Sequence, residues 1–433
     1  MKNLIKQSIP LKFRNKIRGL KIDELFFKFY YRSRLNAIRE RIRKKRKINV
    51  VFILMDISMW KYEGLYQLMA NHSGFDPTIL LAPRTNQSEE DIQLSLMEMT
   101  TYFTQFNHNI IAGYDLGEKT WYDVNEQINP DIIFYTQPPN TATVDGKYQI
   151  RNFKNVLFCY IPYYFLIISQ KWAYDSLLQN IAWKLFYPTK SHIQTAKLYA
   201  KNKGRNICVT GYSIADELLN PKRPITDPWK NKNPSIKRII WAPHHSIIEE
   251  GALYFANFLQ NHQILFDLAE KYKNQIHIAF KPHPVLRTNL YNHKNWGKEK
   301  TDSYYRKWNE LANGQLETGE YIDLMLTSDA MIHDCVSFTV EYLYTKKPVL
   351  YLAKNKHSEK LCAFGQLAFK QHYRGCSNNE IENFIVAIVL GNKDLKLTGR
   401  IRFFNKHLLP PNDRSVADNV FNEILLGLGW SDE

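Results

Sequence analysis

The sequence predicts two doubly wound α/β domains facing a central cleft, preceded by a basic helical arm. Three observations carry this. A chain of 433 residues exceeds one ordinary core and suits two domains of about 150 to 200 residues each. Short β-branched apolar runs alternate with helical stretches in two successive series, the signature of βαβ units and parallel sheets. The charge is confined to one end. Residues 1–47 hold 17 Lys and Arg against Asp23, Glu24 and Glu40, so of the formal +16 the remaining chain carries only +2.

The arm (1–47) alternates basic with apolar residues, through Ile9, Leu11, Phe13, Ile17 and Leu20, then Leu25, Phe26, Phe27, Phe29 and Tyr30, and ends in a basic run at 41–47. A cationic helix with an aromatic face suits an anionic membrane surface; a helix docked on the body is the plainer alternative. The first domain (48–220) opens on a buried strand at 48–54. There follow a helix at 59–71, a strand at 78–82, a helix at 89–106, and strands at 132–135, 155–160, 185–187 and 206–210. The stretch around 221–235 holds Pro221, Pro224, Pro228 and Pro234 and reads as a linker. The second domain (236–433) gives strands at 238–242, 275–280, 330–333 and 348–352, with helices at 254–272 and 336–344. Such sheets bind ligands beyond the carboxyl ends of their strands, so two facing halves form one cleft.

Composition excludes several classes. Mean hydropathy of −0.41 and the lack of an apolar run near 18 residues argue against a membrane span. Five scattered cysteines without a CxxC pair suit free thiols in a reducing compartment, and the N-terminus lacks the pattern of a signal peptide. The protein is expected to be cytoplasmic. A nearly neutral body argues against nucleic acid as a partner. No Walker A sequence, GxGxxG or HExxH occurs, and adjacent His333 and Asp334 on a strand point to opposite faces, so no metal and no cofactor are expected.

Three segments place polar residues beyond predicted strand ends in the second half. In Lys281-Pro-His-Pro284, two prolines fix the backbone around one imidazole, which can donate to a phosphate oxygen. In Trp241-Ala-Pro-His-His-Ser246, His244 or His245 can face the cleft, while Ser246 serves equally well as a cap. In the third, 328–337, Ser337 and the N–H groups at the following helix start form a phosphate cradle. Glu341, one turn on, can accept from ribose hydroxyls or lie on a solvated helix surface.

The third segment resembles the CDP-glycerol glycerophosphotransferase family of teichoic-acid and capsule polymerases. Asp329, Asp334, Ser337, Glu341 and Pro348 match its pattern of S/A-D, T-D-Y-S-S, a downstream acid and K-x-P. Phe280-Lys-Pro-His-Pro284 is similar to its R/K-x-H-P, and Val209-Thr-Gly-Tyr-Ser-Ile-Ala-Asp216 to its T-G-x-P-R-x-D. The resemblance implies a GT-B fold, with a CDP-linked polyol phosphate held by the C-terminal domain and a lipid-linked saccharide or polymer acceptor entering from the N-terminal one. It also implies peripheral attachment to the inner face of the plasma membrane. By it His283 contacts the donor phosphates, Ser337 binds the pyrophosphate and Glu341 lies near the nucleotide; Pro243, Ser246, Lys281, Asp329 and Asp334 complete the expected donor-binding set. The chain departs from the pattern in three places. The family's first-domain catalytic His is absent from Phe158-Cys-Tyr-Ile-Pro-Tyr-Tyr164. Cys335 and Val336 replace the tyrosine and first serine, and Pro243-His-His-Ser246 stands where the family has a P-T-W-R-like segment. A base from His244 or His245, a glycosyltransferase using a nucleotide sugar, and a non-catalytic module of a capsule-assembly complex all remain open at this point.

Overall fold

The computed structural model describes residues 22–139, 144–247, 255–352 and 357–430. Two parallel sheets form the body. The first has the strand order β3-β2-β1-β6-β7-β8-β9, made from β1 (Ile48–Leu54), β2 (Phe75–Leu81), β3 (Ile110–Ala112), β6 (Ile132–Tyr135), β7 (Leu157–Tyr160), β8 (Lys184–Tyr187) and β9 (Ile207–Val209). A small hairpin, β4 (Tyr114–Asp115) with β5 (Thr120–Trp121), stands beside it. The second sheet runs β12-β11-β10-β13-β14-β15, from β10 (Lys237–Ala242), β11 (Ile276–Phe280), β12 (Gly314–Leu316), β13 (Ala330–His333), β14 (Val349–Leu352) and β15 (Tyr373–Gly375). The expected GT-B-like architecture is therefore present.

Continuous apolar runs become central strands because helices cover both faces of a parallel sheet. β1 and β6 pair from Val50↔Ile132 onward, and Phe52 stacks on Phe134 at 4.8 Å. β10 and β13 pair from Ile239↔Ala330, and Trp241 packs between Phe280 and Phe258. In each sheet the chain turns outward in both directions from one adjacent pair, β1/β6 and β10/β13. Loops leaving that pair diverge at the carboxyl ends and open a crevice.

Several boundaries differ from the sequence expectation. The helix expected at 59–71 begins at Glu63, because Asp56 caps a 3₁₀ turn over Ile57–Met59. The helix expected at 336–344 is one α-turn, Phe338–Glu341, followed by a 3₁₀ turn that ends at Lys346 with φ 60°. The three-residue edge strands β3, β12 and β15 were too short to announce themselves by periodicity. Pro284–Tyr291, Gly297–Glu310 and Leu397–His407 also form helices.

The segment 221–235 lies along the second half: Trp229 is fully buried with its indole N–H on Thr327, and Arg223 and Thr226 bind Asp323. The second domain was expected to reach the C-terminus. Instead the helix Val416–Leu428 packs on the first half against Glu63–Asn71. Asp216 accepts the N–H groups of Val416 and Ala417, and Lys184 pairs with Glu423 at 2.6 Å. On one flank the halves also meet through backbone: Cys362 N–H donates to Ile167 O and Ser169 N–H to Lys360 O.

The arm's first 21 residues lie outside the described residues. The helix Ile22–Arg43 buries Tyr31, Ile38 and Ile42, and the Tyr31 hydroxyl donates to Val156 O. Lys45 and Arg41 both pair with Asp131. Its other side leaves Phe26 and Phe29 72% and 77% exposed, beside Leu25 and Tyr30. Docking on the body and an aromatic outer face thus coexist on one helix. Among the described residues no helix is long and apolar enough to cross a membrane.

Candidate active site

The crevice at β10/β13 collects the second half's polar chemistry. β10 runs into Pro243-His244-His245-Ser246, β11 into Lys281-Pro-His283, and β13 into Asp334 to Ser337. Three imidazoles meet there: the His245 ring lies 4.2 Å from both His244 and His283, and His244 and His283 are 5.4 Å apart. His283 is held from three sides. Its N–H donates to Pro243 O, Pro284 starts the next helix, and its Nδ1 accepts the Val285 N–H at 3.2 Å. A neutral ring with Nδ1 accepting carries its proton on Nε2, which makes that atom a donor.

His244 follows the same logic. Ser246 Oγ accepts N–H groups from Phe255 and Ala256, so its own proton goes to His244 Nδ1 at 2.8 Å. His244 Nε2 is then the protonated nitrogen. His245 differs, because its Nδ1 is buried without a hydrogen-bond partner among the described residues. Burial, with neighbouring His245 and Lys281, pushes His283 down to about 3, and burial lowers His244 and His245 as well. Burial thus favours the neutral form of all three, and His245 Nδ1 is the ring nitrogen among them that lies buried without a partner.

The remaining expected residues separate into several groups. Asp334 is buried, with one carboxylate oxygen on His244 N–H at 2.6 Å and the other on Asn257 N–H at 2.5 Å. It clamps the loop of His244 and His245 to the segment at Asn257, with both carboxylate oxygens engaged. Lys281 is at the site, with its ammonium on Gly319 O at 2.6 Å and its pKa lowered by burial. Pro243 and Ser246 likewise shape the loop. Ser337 is half-buried, and its carbonyl accepts from Val340 and Glu341 to open the turn. The first N–H groups of that turn precede any intrahelical partner, although one α-turn carries far less dipole than the helix the sequence led us to expect.

Asp329 is a correction. It accepts Arg238 N–H at 2.8 Å and pairs with Lys237 where β10 and β13 begin. With β13 between them, Asp329 and Asp334 stand at opposite ends of the sheet, about 16 Å apart at the rise of an extended chain. Asp329 therefore fixes strand register and takes no part in the crevice.

Glu341 is neither solvated nor open to a ribose. It is 1% exposed and takes the Tyr212 hydroxyl on one oxygen at 2.6 Å and that of Tyr321 on the other at 2.9 Å. Burial raises its pKa, and nearby Lys61 opposes that. Lys61, from the loop entering Glu63–Asn71, donates to Tyr321 Oη at 3.3 Å and lies 5.1 Å from that ring's centre. Tyr212, Glu341, Tyr321 and Lys61 thus join the halves across the cleft. Sequence reasoning missed the two tyrosines and Lys61, and no local pattern marks them.

The first sheet's crevice, between β1 and β6, is flanked by Asp56 and Gln137, with Tyr163 and Tyr164 beyond β7. Among the described residues it holds no histidine, as the sequence of that loop implies. No group of three or more His, Cys, Asp and Glu among the described residues has the geometry to hold a metal ion.

Comparison with known proteins bears on this arrangement. Residues 188–426 match the family model of CDP-glycerol:poly(glycerophosphate) glycerophosphotransferases. That span is more than half of the chain and includes the three-histidine crevice, the tyrosine-held glutamate and the returning C-terminal helix.

The chain belongs to this family.

It is accordingly a transferase of the CDP-glycerol glycerophosphotransferase type, for which a CDP-linked donor is the substrate. No curated protein matches it in sequence. Solved structures share its fold. One from Listeria monocytogenes, described as a UDP-N-acetylglucosamine 2-epimerase, superposes with a TM-score of 0.60 at 15% identity, covering 90% of this chain and 98% of its own. A variant of the wall teichoic acid polymerase TagF gives 0.54 at 12% identity, covering 97% of this chain and 100% of the other. The S. aureus MnaA–UDP complex gives 0.54 at 12%, covering 89% and 98%.

Proposed function

We propose that this glycerophosphotransferase moves a polyol phosphate, glycerol or ribitol phosphate, from its CDP-linked donor to a hydroxyl of a lipid-linked or saccharide acceptor in cell-surface polymer synthesis. The observation that carries the reading is the cluster of three neutral imidazoles at the β10/β13 crevice. Phosphoryl transfer needs positioning and charge stabilisation more than covalent help. His283 Nε2–H and His244 Nε2–H act as fixed donors to phosphate oxygens in a water-poor site, where such donors are strongest. Proline bracketing and the Val285 bond keep His283 from reorienting as charge develops.

The acceptor oxygen attacks the β-phosphorus, the bond from that phosphorus to the bridging oxygen breaks, and CMP leaves with the electron pair. The acceptor's proton goes to His245, whose ring is neutral and uncommitted; this supplies the base that the first-half loop lacks. In this reading the second half, from about 236, holds the donor and the first half, from 48 to about 220, admits the acceptor. The protein works on the cytoplasmic face of the plasma membrane, with Phe26, Phe29 and the basic arm against anionic lipid.

The test is nucleotide release from purified protein given a lipid-linked saccharide with CDP-glycerol, CDP-ribitol or a panel of nucleotide sugars. CMP release that His283→Ala removes supports the reading and chooses the polyol. Release of a nucleoside diphosphate instead makes the protein a glycosyltransferase, and no release with any pair turns it into a binding module.

A further inference from the structure

A diphosphate donor brings at least two negative charges to the crevice, and neutral imidazoles offer none in return. Among cations the described residues bring near it, Lys281 is tied to Gly319 O and Lys360 lies over the Phe255 ring. Lys61 is placed differently. It is half-buried, comes from the opposite half, and donates a hydrogen bond to a neutral phenol hydroxyl. Glu341 and Glu217 are close enough to feel its charge, yet neither forms an ion pair with it. Both Glu341 oxygens are occupied by tyrosines.

Its contacts lead to the Ser337 turn. The Tyr321 ring beneath Lys61 packs on Phe338 at 5.3 Å, and Phe338 directly follows Ser337 at the start of the turn. Lys281 on the other side of the crevice also feels the Lys61 charge. Lys61 has carboxylates in its surroundings but none bonded to it, so an anion at the turn would complete its bonding.

We infer that Lys61 of the first half is the cation that binds the donor's diphosphate across the cleft, with Tyr321 holding its ammonium beside the Ser337 turn. This rests on the proposed donor reading. It gives the first half a part in donor binding, so that donor affinity depends on both halves being together.

Calorimetric titration tests it, with CDP, cytidine and inorganic pyrophosphate added separately to full-length wild type, Lys61→Gln and Lys61→Arg. A thermal melt of each variant checks the fold. The expected result is CDP affinity lowered about tenfold to a hundredfold in Lys61→Gln, as for loss of one charge-assisted hydrogen bond, with cytidine affinity unchanged and Lys61→Arg restoring most of the loss. Equal CDP binding by wild type and Lys61→Gln overturns the inference, as does an equal loss for cytidine, which would make Lys61 a tie between domains. Failure of the donor reading looks different: wild type would bind pyrophosphate and not CDP. In that case the pyrophosphate comparison decides Lys61, and pyrophosphate bound equally by Lys61→Gln, or bound by neither protein, removes its role.

Discussion

The two sheets end in similar crevices with opposite chemistry. Beyond β10, β11 and β13 lie three imidazoles and a lysine, with the loop of His244 and His245 clamped by a buried aspartate. Beyond β1, β6 and β7 the described residues include tyrosines, a glutamine and the exposed Asp56, with no clamp of that kind among them. Both crevices arise from the same topology, so topology explains where a site can form and loop residues explain which half carries the chemistry. The proposed division of roles follows this contrast, with the charged donor at the half that has pre-set donors and the acceptor at the half lined by hydroxyls and aromatic rings.

The comparison breaks most visibly at His283. His283→Ala should lower CMP release by about 10² to 10³, the usual cost of one preorganised donor to developing charge, while Tyr163→Phe in the other crevice should leave turnover within about fivefold. Release assays on the two variants side by side check this. If both fall equally, the division of roles is wrong.

Next in size is the contrast between two aspartates of one motif. Asp334→Ala should destabilise the protein by about 3 to 5 kcal/mol in chemical denaturation, since it strands two buried N–H groups, and should weaken CDP binding by loosening the histidine loops. Asp329→Ala should cost about 1 kcal/mol, because its partners reach solvent, and should leave CDP affinity unchanged.

Acid should separate the halves further. Burial holds His277 down to about 4 and His283 and His372 down to about 3 in the second half, and His192 to about 4 in the first. Such groups stay neutral when folded but bind protons when unfolded below about 6.5, so the stability they contribute is full above that pH and is lost as pH falls toward 3. Limited proteolysis between pH 6 and 4 should therefore open the second half first.

The smallest effect on stability, within about 0.5 kcal/mol, is expected for Phe26→Ser with Phe29→Ser, because both rings face outward. The same pair should lose most of its sedimentation with anionic vesicles, and unchanged sedimentation would remove the membrane reading.

Central strands were legible because Ile48 to Leu54, Ile132 to Tyr135 and Ala330 to His333 are short runs that are apolar but for Asn49 in the first and His333 in the last. The strands β1, β6 and β13 begin and end where the runs do. The edge strands β3, β12 and β15 carry too little pattern, whereas β9, equally short, was expected at 206–210, and the turn after Ser337 shortened because Tyr342 and Leu343 are buried as a 3₁₀ turn ending at left-handed Lys346. His283 was legible from its prolines. Asp329 was misplaced because a motif records spacing along the chain, while β13 carries its two ends to opposite sides of the sheet.

By itself the sequence determined the fold class, the two series of strands, the basic arm and the residues that carry the family pattern, since these depend on neighbours within a few positions. Only the tertiary structure decided which aspartate clamps and which fixes register, which imidazole nitrogen is left without a partner, and that Glu341 is held by Tyr212 and Tyr321. It also returned the last helix to the first half and set Lys61 over Tyr321. These depend on contacts between residues 20 to 260 positions apart, and no local pattern of hydrophobicity or charge encodes which distant side chain will fill a given hydrogen bond.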